Sequence, residues 1–425
     1  MPTRWRLLTR SPTGRLAFHG WLTSRLLLLI SALLVAWTSG TPLPLVFSRW
    51  DVAQFAAIAS DGYTELTQAA FFPGLPALMA AGGMIGLPAW LTGTLLALVA
   101  SGAAAWALYR LAGGGGAGAL AVWGWSLAPM AVFSFAAYSE APFCAGAFWA
   151  WELARRGRWG WAGLWASVAM AFRVSGLFLL VGLGIMALMQ AWHDRRHSLG
   201  RAIGLRAVGL IGPLAVLAAY VVFLKLRFGS WLVWFEAQRQ GWGRAFHWPW
   251  QAIINTARAA GIGAAGDDNS VMFLAELLVY LIGALLLIWL MRRAWRRWRA
   301  GGSQTLRRVA SGPTGPRQAY TSSHVLGDLR GSSPSGSDEP SYPLAAAGLV
   351  GSSWLALSCQ VWLMSLSRSL LIWFPGFVAG AVWLTEASSP QQQRWHRVMA
   401  AAILLASTLL MLWWANRFFR GMWAS

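Results

Sequence analysis

Lysine is almost missing from this sequence: of 34 basic residues only Lys225 is a lysine, and only 14 residues are acidic. Charged residues make up 11% of the 425-residue chain and hydrophobic ones 57%. Soluble chains carry about 25% charged residues, so the scarcity excludes a soluble globular domain. Cysteine is nearly absent too. Cys144 and Cys359 are the two present, both inside apolar runs, which excludes a disulfide framework and a cysteine-based zinc site. The net charge of +20 comes in short arginine clusters between apolar stretches. Membrane topology produces that pattern, and no nucleic-acid partner is expected from it.

What the chain has instead is apolar runs such as Leu26–Val46, Pro88–Tyr109 and Leu274–Leu290, close to the ~20 residues a helix needs to cross hydrocarbon. Spans are expected near 25–46, 88–110, 117–136, 141–154, 205–226, 271–291, 344–364, 369–386 and 398–416. The first, preceded by Arg4, Arg6, Arg10 and Arg15, is too long for a signal-peptide core and reads as a retained anchor. Within Trp159–Trp192 the break Phe172-Arg173-Val174-Ser175-Gly176 predicts two short helices that enter and return, with Arg173 at the tip. Phe71–Gly86, punctuated by Pro73 and Pro76, predicts a partial helix. The expected fold is an all-α polytopic membrane protein of about nine full spans plus short re-entrant or interfacial helices. An N-terminal transmembrane module would cover 1–291, with outward loops 47–70 and 228–269. A disordered basic cytoplasmic loop would cover 292–341, where Gly301–Ser341 is rich in Ser, Gly and Pro, and C-terminal transmembrane helices 342–425. Gly113–Gly116 reads as a tight turn, lacking the lysine of a phosphate loop.

The arginines set the expected sidedness. Arg4–Arg25, Arg110, Arg155–Arg158, Arg195–Arg206, Arg292–Arg330 and Arg394–Arg397 hold 24 of the 33 arginines. Placing all six segments in the cytoplasm satisfies the positive-inside rule. The segments in and beside the opposite face then carry eight of the 14 acids: Asp51, Asp61, Glu65, Glu140, Glu236, Asp267, Asp268 and Glu276. A site is therefore expected on the non-cytoplasmic face.

The first outward loop is the most informative. In Ser48-Arg49-Trp50-Asp51, then Phe55, Ile58 and Gly62-Tyr63, the apolar spacing predicts a short helix that Gly62 ends. Asp51 would open it, either as a helix-capping aspartate on an interfacial helix anchored by Trp50 and Tyr63 or as a reactive carboxylate. Asp61 and Glu65 read as solvated loop acids, although Asp61 is near enough to share a site. His193 and His197 have a metal-compatible spacing but sit in an arginine-rich turn with only Asp194 for an acid, so no metal is expected. Trp231, Trp234, Trp242, Trp248 and Trp250 read first as an interfacial belt.

The order Trp50-Asp51, Ile58-Ala59-x-x-Gly62-Tyr63, Phe71-Phe72-Pro73-x-x-Pro76 resembles the first lumenal loop of the PIG-V family of mannosyltransferases. Tyr138-Ser139-Glu140, Arg155-Arg156-Gly157-Arg158-Trp159, Phe172–Gly176, Gly241-Trp242-Gly243-Arg244, Ser367-Arg368-Ser369-Leu370 and Phe374-Pro375 follow in order over roughly residues 20–415. The sequence departs from the family's usual residues at Gln54-Phe55, Gly74-Leu75, Val174 and Ser369, which bears on acceptor choice. The resemblance implies a GT-C-type glycosyltransferase fold. It implies an inverting enzyme that moves a hexose, mannose first, from a polyprenyl-phosphate donor to a lipid- or protein-linked acceptor. That donor is a substrate, and no cofactor is implied. Asp51 is then the general base. Arg368, with Arg244 and Arg173 behind it, would meet the phosphate, and Arg49, Trp50, Tyr63, Glu140 and Trp242 complete the expected substrate-binding set.

Each role has a plainer competitor. Arg173 and Glu140 would form a structural pair, and Arg368 would be an interface anchor. At the level of the whole chain the rivals are a transporter or flippase of a lipid-linked or hydrophobic solute, which would show paired broken helices, and a non-catalytic scaffold subunit. Convergence of Asp51, Glu140 and Arg368 on one outward cavity separates the enzyme from the scaffold. The expected location is a prokaryotic plasma membrane, on the association of a lone lysine with GC-rich coding, or the endoplasmic reticulum in a eukaryote.

Overall fold

The computed structural model describes residues 11–193, 199–261, 269–310 and 342–423. Among them there is no strand. The helices are α1 (Pro12–Ser39), α2 (Leu43–Phe47), α3 (Asp51–Asp61), α4 (Gly74–Gly83), α5 (Ala89–Leu111), α6 (Gly115–Ser126), α7 (Glu140–Arg155) and α8 (Trp159–Phe172). They continue with α9 (Gly176–His193), α10 (Leu199–Phe228), α11 (Val233–Trp242), α12 (Pro249–Ala259), α13 (Ser270–Ala310), α14 (Pro343–Ser358), α15 (Phe374–Thr385) and α16 (Pro390–Phe419). Three 3-10 segments, Leu66–Ala70, Pro129–Ser134 and Ser367–Leu371, interrupt the series. Five stretches, Pro12–Ser39, Ala89–Leu111, Arg206–Phe228, Ser270–Arg299 and Pro390–Phe419, are long and apolar enough to cross a membrane. The protein is an all-α chain compatible with a multi-pass membrane protein.

The shorter helices fill the interior. α7 is buried along nearly its whole length, and α5, α8 and α9 pack around it. α8 and α10 approach until a Cβ on Gly163 would lie 1.8 Å from the Gly209 carbonyl oxygen. Small residues permit this backbone contact, which is how helices gain packing where no hydrophobic driving force separates them from lipid.

Three expectations about the spans need correction. The single span expected at 117–136 is broken: α6 ends at Ser126 and a 3-10 turn runs from Pro129, because proline removes an N–H and restricts the residue before it. Arg25, counted with the cytoplasmic cluster, lies within α1, only 3% exposed. Its Nη1 donates to the Ser134 carbonyl at 2.7 Å and to Ser134 Oγ at 3.1 Å. Residues 292–310, expected in a disordered loop, continue α13 as helix; residues 311–341 lie outside the described set, as do Asp194, His197, Asp267 and Asp268. The in-and-back pair is present as α8 and α9, with Arg173-Val174-Ser175 between them.

The segments assigned to opposite faces gather into two separate clusters. In one, the buried carboxylate of Glu152 receives Arg110 at 3.0 Å, Arg155 at 2.7 Å and Arg156 at 2.8 Å. Nearby, Gln190 Oε1 accepts from Trp159 and its amide donates to Tyr342. The other cluster contains Asp51, Glu140 and Arg368.

Candidate functional site

Asp51 is the first residue of α3, whose Val52, Phe55 and Ile58 are buried on one face. Gly62 ends that helix with φ +74° and returns its N–H to the Ile58 carbonyl, as the spacing predicts. The N-cap is Trp50, and no side chain caps this helix. The capping role for Asp51 is therefore not what the structure holds; its carboxylate faces the bundle instead. Trp50 has φ 57°, and Ser365 has φ 63°. These are the two non-glycine residues of positive φ among the described residues. One immediately precedes Asp51 and the other stands three residues before Arg368, so the backbone strain, ~1–3 kcal/mol per residue, is concentrated beside the charged groups.

Glu140 begins α7 and is fully buried. Its Oε1 accepts from Arg368 Nε at 2.8 Å and from Arg368 Nη2, and pairs with Arg173 Nη1 at 2.8 Å. Arg173 Nη1 also donates to Ser139 Oγ at 3.0 Å. Arg368 Nη1 lies 3.5 Å from Asp51 Oδ2. The Arg368 guanidinium rests on the rings of Phe133 at 4.7 Å and Tyr138 at 5.2 Å. The Tyr138 hydroxyl accepts the Asp51 backbone N–H at 3.2 Å.

These groups border a cavity of about 360 Å³, within the ~300–1,000 Å³ typical of small-molecule sites. Trp50, Asp51, Arg173, Trp242, Arg244 and Arg368 all line it, while Glu140 braces the wall from behind through the two arginines. Asp51 keeps 24% of its side-chain surface exposed. Burial, reinforced by Glu140 and opposed by Arg368, raises its carboxyl above the ordinary value. Arg244 donates from Nη1 to the neutral Gln238 Oε1 at 3.1 Å. Burial, with Arg368 and Arg173 close by, brings its guanidinium down to about 10. Glu140 Oε2, Arg173 Nε and Arg244 Nε are buried without a hydrogen-bond partner. Unmet polar atoms in a cavity wall are costly unless a ligand or water satisfies them.

Besides Glu140, two expected substrate-binding residues lie off the cavity wall. Tyr63 is buried outside the cavity wall; its hydroxyl donates to the Phe71 carbonyl at 2.7 Å and its own carbonyl accepts from Arg227 Nε at 2.9 Å. It ties the loop to α10. Arg49 packs beside Gly421 near the end of α16 and is not part of the wall. Asp61 is exposed, and Glu65 caps the 3-10 turn at Leu66.

Sequence reasoning missed Phe133, Gln238, Phe418 and Trp423 among the lining residues. Phe418 and Trp423 come from the far end of the chain, and nothing local to them signals the site. A second, apolar groove of about 560 Å³ lies between α13 and α15. Leu370 lines it, while Arg368, two residues earlier on the same 3-10 turn, lines the polar cavity. No protein-family model matches the chain, and a search of curated proteins finds no match either.

Proposed function

We propose that the protein is a membrane-embedded inverting glycosyltransferase of GT-C architecture, with about nine spans. In this reading it moves a hexose, mannose first, from a polyprenyl-phosphate donor to a lipid- or protein-linked acceptor on the non-cytoplasmic face. The supporting observation is that Asp51 and Arg368 line one cavity, with Glu140 holding Arg368 from behind and the Asp51 carboxylate engaged in no helix cap.

The chemistry fits the residues. The acceptor hydroxyl oxygen attacks the anomeric carbon, its proton passes to the Asp51 carboxylate, and the bond to the phosphate oxygen breaks with its electron pair leaving on phosphate. The leaving group is already a stabilised anion, so cations rather than an acid are required. Arg368, first choice from the sequence, is engaged by both carboxylates. Arg244, hydrogen-bonded to a neutral amide alone, is the guanidinium with charge to spare and takes the phosphate, with Arg173 behind it. The apolar groove behind Leu370 is of a character to accommodate a polyprenyl chain.

The test is transfer of label from radiolabelled polyprenyl-phosphate mannose to native lipid and protein acceptors, in membranes containing wild type or Asp51→Asn. Loss of transfer in the variant at equal protein level supports the reading. Equal transfer by both removes Asp51 from the chemistry, and no transfer by wild type counts against the glycosyltransferase reading, with the acceptor, the sugar or the enzyme assignment in error.

A further inference from the structure

The turn that delivers Arg368 is held from another helix. Glu276 lies on α13, 1% exposed. Its Oε1 accepts the Ser365 backbone N–H at 3.1 Å and the Ser367 hydroxyl at 2.8 Å, and its Oε2 accepts the Ser367 backbone N–H at 2.7 Å. Ser365 is one of the two strained non-glycine residues, and the 3-10 turn that starts at Ser367 has no side-chain cap of its own. A left-handed serine is strained, and buried N–H groups left unmet add to that cost. A carboxylate taking three hydrogen bonds from residues 365–367 supplies what that conformation requires. Arg368 follows directly, with Glu140 and Asp51 in its reach.

We propose that Glu276 is a positioning residue for Arg368: its buried carboxylate fixes the Ser365–Ser367 turn and so sets the guanidinium between Glu140 and Asp51. The inference rests on the proposed function for the purpose of that placement, although not for the placement itself. Glu276 is not itself among the residues that line the cavity; it reaches Arg368 through Ser365 and Ser367.

Two measurements test it on the full chain in lipid nanodiscs. The first is the structure, by electron cryomicroscopy, of Glu276→Ala and of Glu276→Gln, which keeps one acceptor oxygen. The expected result is a re-laid 365–367 turn with Arg368 withdrawn from Asp51, complete in the alanine variant and partial in glutamine, with α7 and α8 unchanged. If Arg368 keeps its contacts with both Glu140 and Asp51 in either variant, the inference is overturned. Should the alanine variant fail to fold, the glutamine variant decides.

The second is the pH profile of transfer. Arg368 lowers the Asp51 carboxyl, so its withdrawal moves the acid-side midpoint upward, and turnover falls by about 10²-fold as for a displaced reacting group. Lost turnover with an unmoved midpoint marks a merely structural residue and overturns the inference. A displaced turn in a protein whose wild type transfers nothing upholds the positioning role and defeats the glycosyltransferase reading. An undisplaced turn with transfer dependent on Asp51 does the reverse.

Discussion

Arg368 and Asp51 stand 317 residues apart in the chain, yet Arg368 Nη1 lies 3.5 Å from Asp51 Oδ2 at the edge of one cavity. The same guanidinium is gripped more closely by Glu140. Asp51 is thus near a cation without being saturated by it, and part of its surface remains open to a ligand. A base needs that combination: enough positive charge nearby to be ionised, and enough freedom to accept a proton.

Replacing Asp51 by Asn preserves size and removes the proposed base. Transfer is expected to fall by ~10²–10⁴-fold, the usual contribution of a positioned general base, at unchanged protein level. Single-turnover rates with a saturating donor are the measurement. A variant within threefold of wild type would mean that the proton leaves by another route.

Acid should silence the proposed transfer earlier than an ordinary aspartate would allow. Burial raises the Asp51 carboxyl in the folded protein, and only its ionised form takes a proton, so activity is lost as pH falls through that raised value and is regained above it. The linked stability effect has the opposite sign. A carboxyl whose folded pKa is raised contributes stability below its unfolded pKa, and that contribution is lost as pH rises through the folded one. Asp51→Asn should therefore match or exceed wild type in thermal stability at neutral pH, with the difference closing on acidification. A less stable Asn variant at pH 7 would contradict the raised pKa.

Much of this arrangement was legible from residue order alone. Five expected spans have long helical counterparts, and the break at Arg173, the helix from Asp51 and the partial helix at Gly74 all follow from proline, glycine and apolar spacing. The split at Pro129 was also open to reading, since a proline stood inside the expected span. Arg25 was not legible. An arginine near the start of an apolar run looks topogenic, and only the fold reveals Ser134 waiting to receive it. Arg49 lies in the turn before the Asp51 helix and Tyr63 beyond the glycine that ends it, so membership of one loop did not become proximity in the cavity. Glu276, Phe418 and Trp423 reach the site or its supporting turn from remote parts of the chain, through contacts that no local pattern encodes.

Glu140→Gln should damage the fold before it damages binding. The carboxylate is fully buried, and its Oε1 meets both Arg173 and Arg368. Neutralising the buried carboxylate leaves Arg173 without its anion and Arg368 with Asp51 alone, and removing one partner of a buried pair costs ~3–5 kcal/mol. The expected outcome is a lowered midpoint of thermal aggregation in detergent, partly recovered by the double variant Glu140→Gln/Arg173→Gln, which also removes one stranded charge. A midpoint equal to wild type in the single variant would show that the arginines find other partners.

Arg244→Gln separates phosphate recognition from scaffolding. Arg244 lines the cavity, its Nε is buried and unmet, and its one side-chain partner is the neutral Gln238. Removing it strands no carboxylate, so thermal stability should be little changed. A charge-assisted hydrogen bond to phosphate is worth ~1.5–3 kcal/mol, or about 10–10²-fold in kcat/KM for the donor. Because negative charge builds on the phosphate as the sugar departs, kcat should fall together with a rise in donor KM, while acceptor KM stays put. Arg244→Lys retains a point charge without the planar fork and should recover only part of the loss. Steady-state kinetics against varied donor decide the matter: unchanged donor parameters in Arg244→Gln would return the phosphate to Arg173 or Arg368.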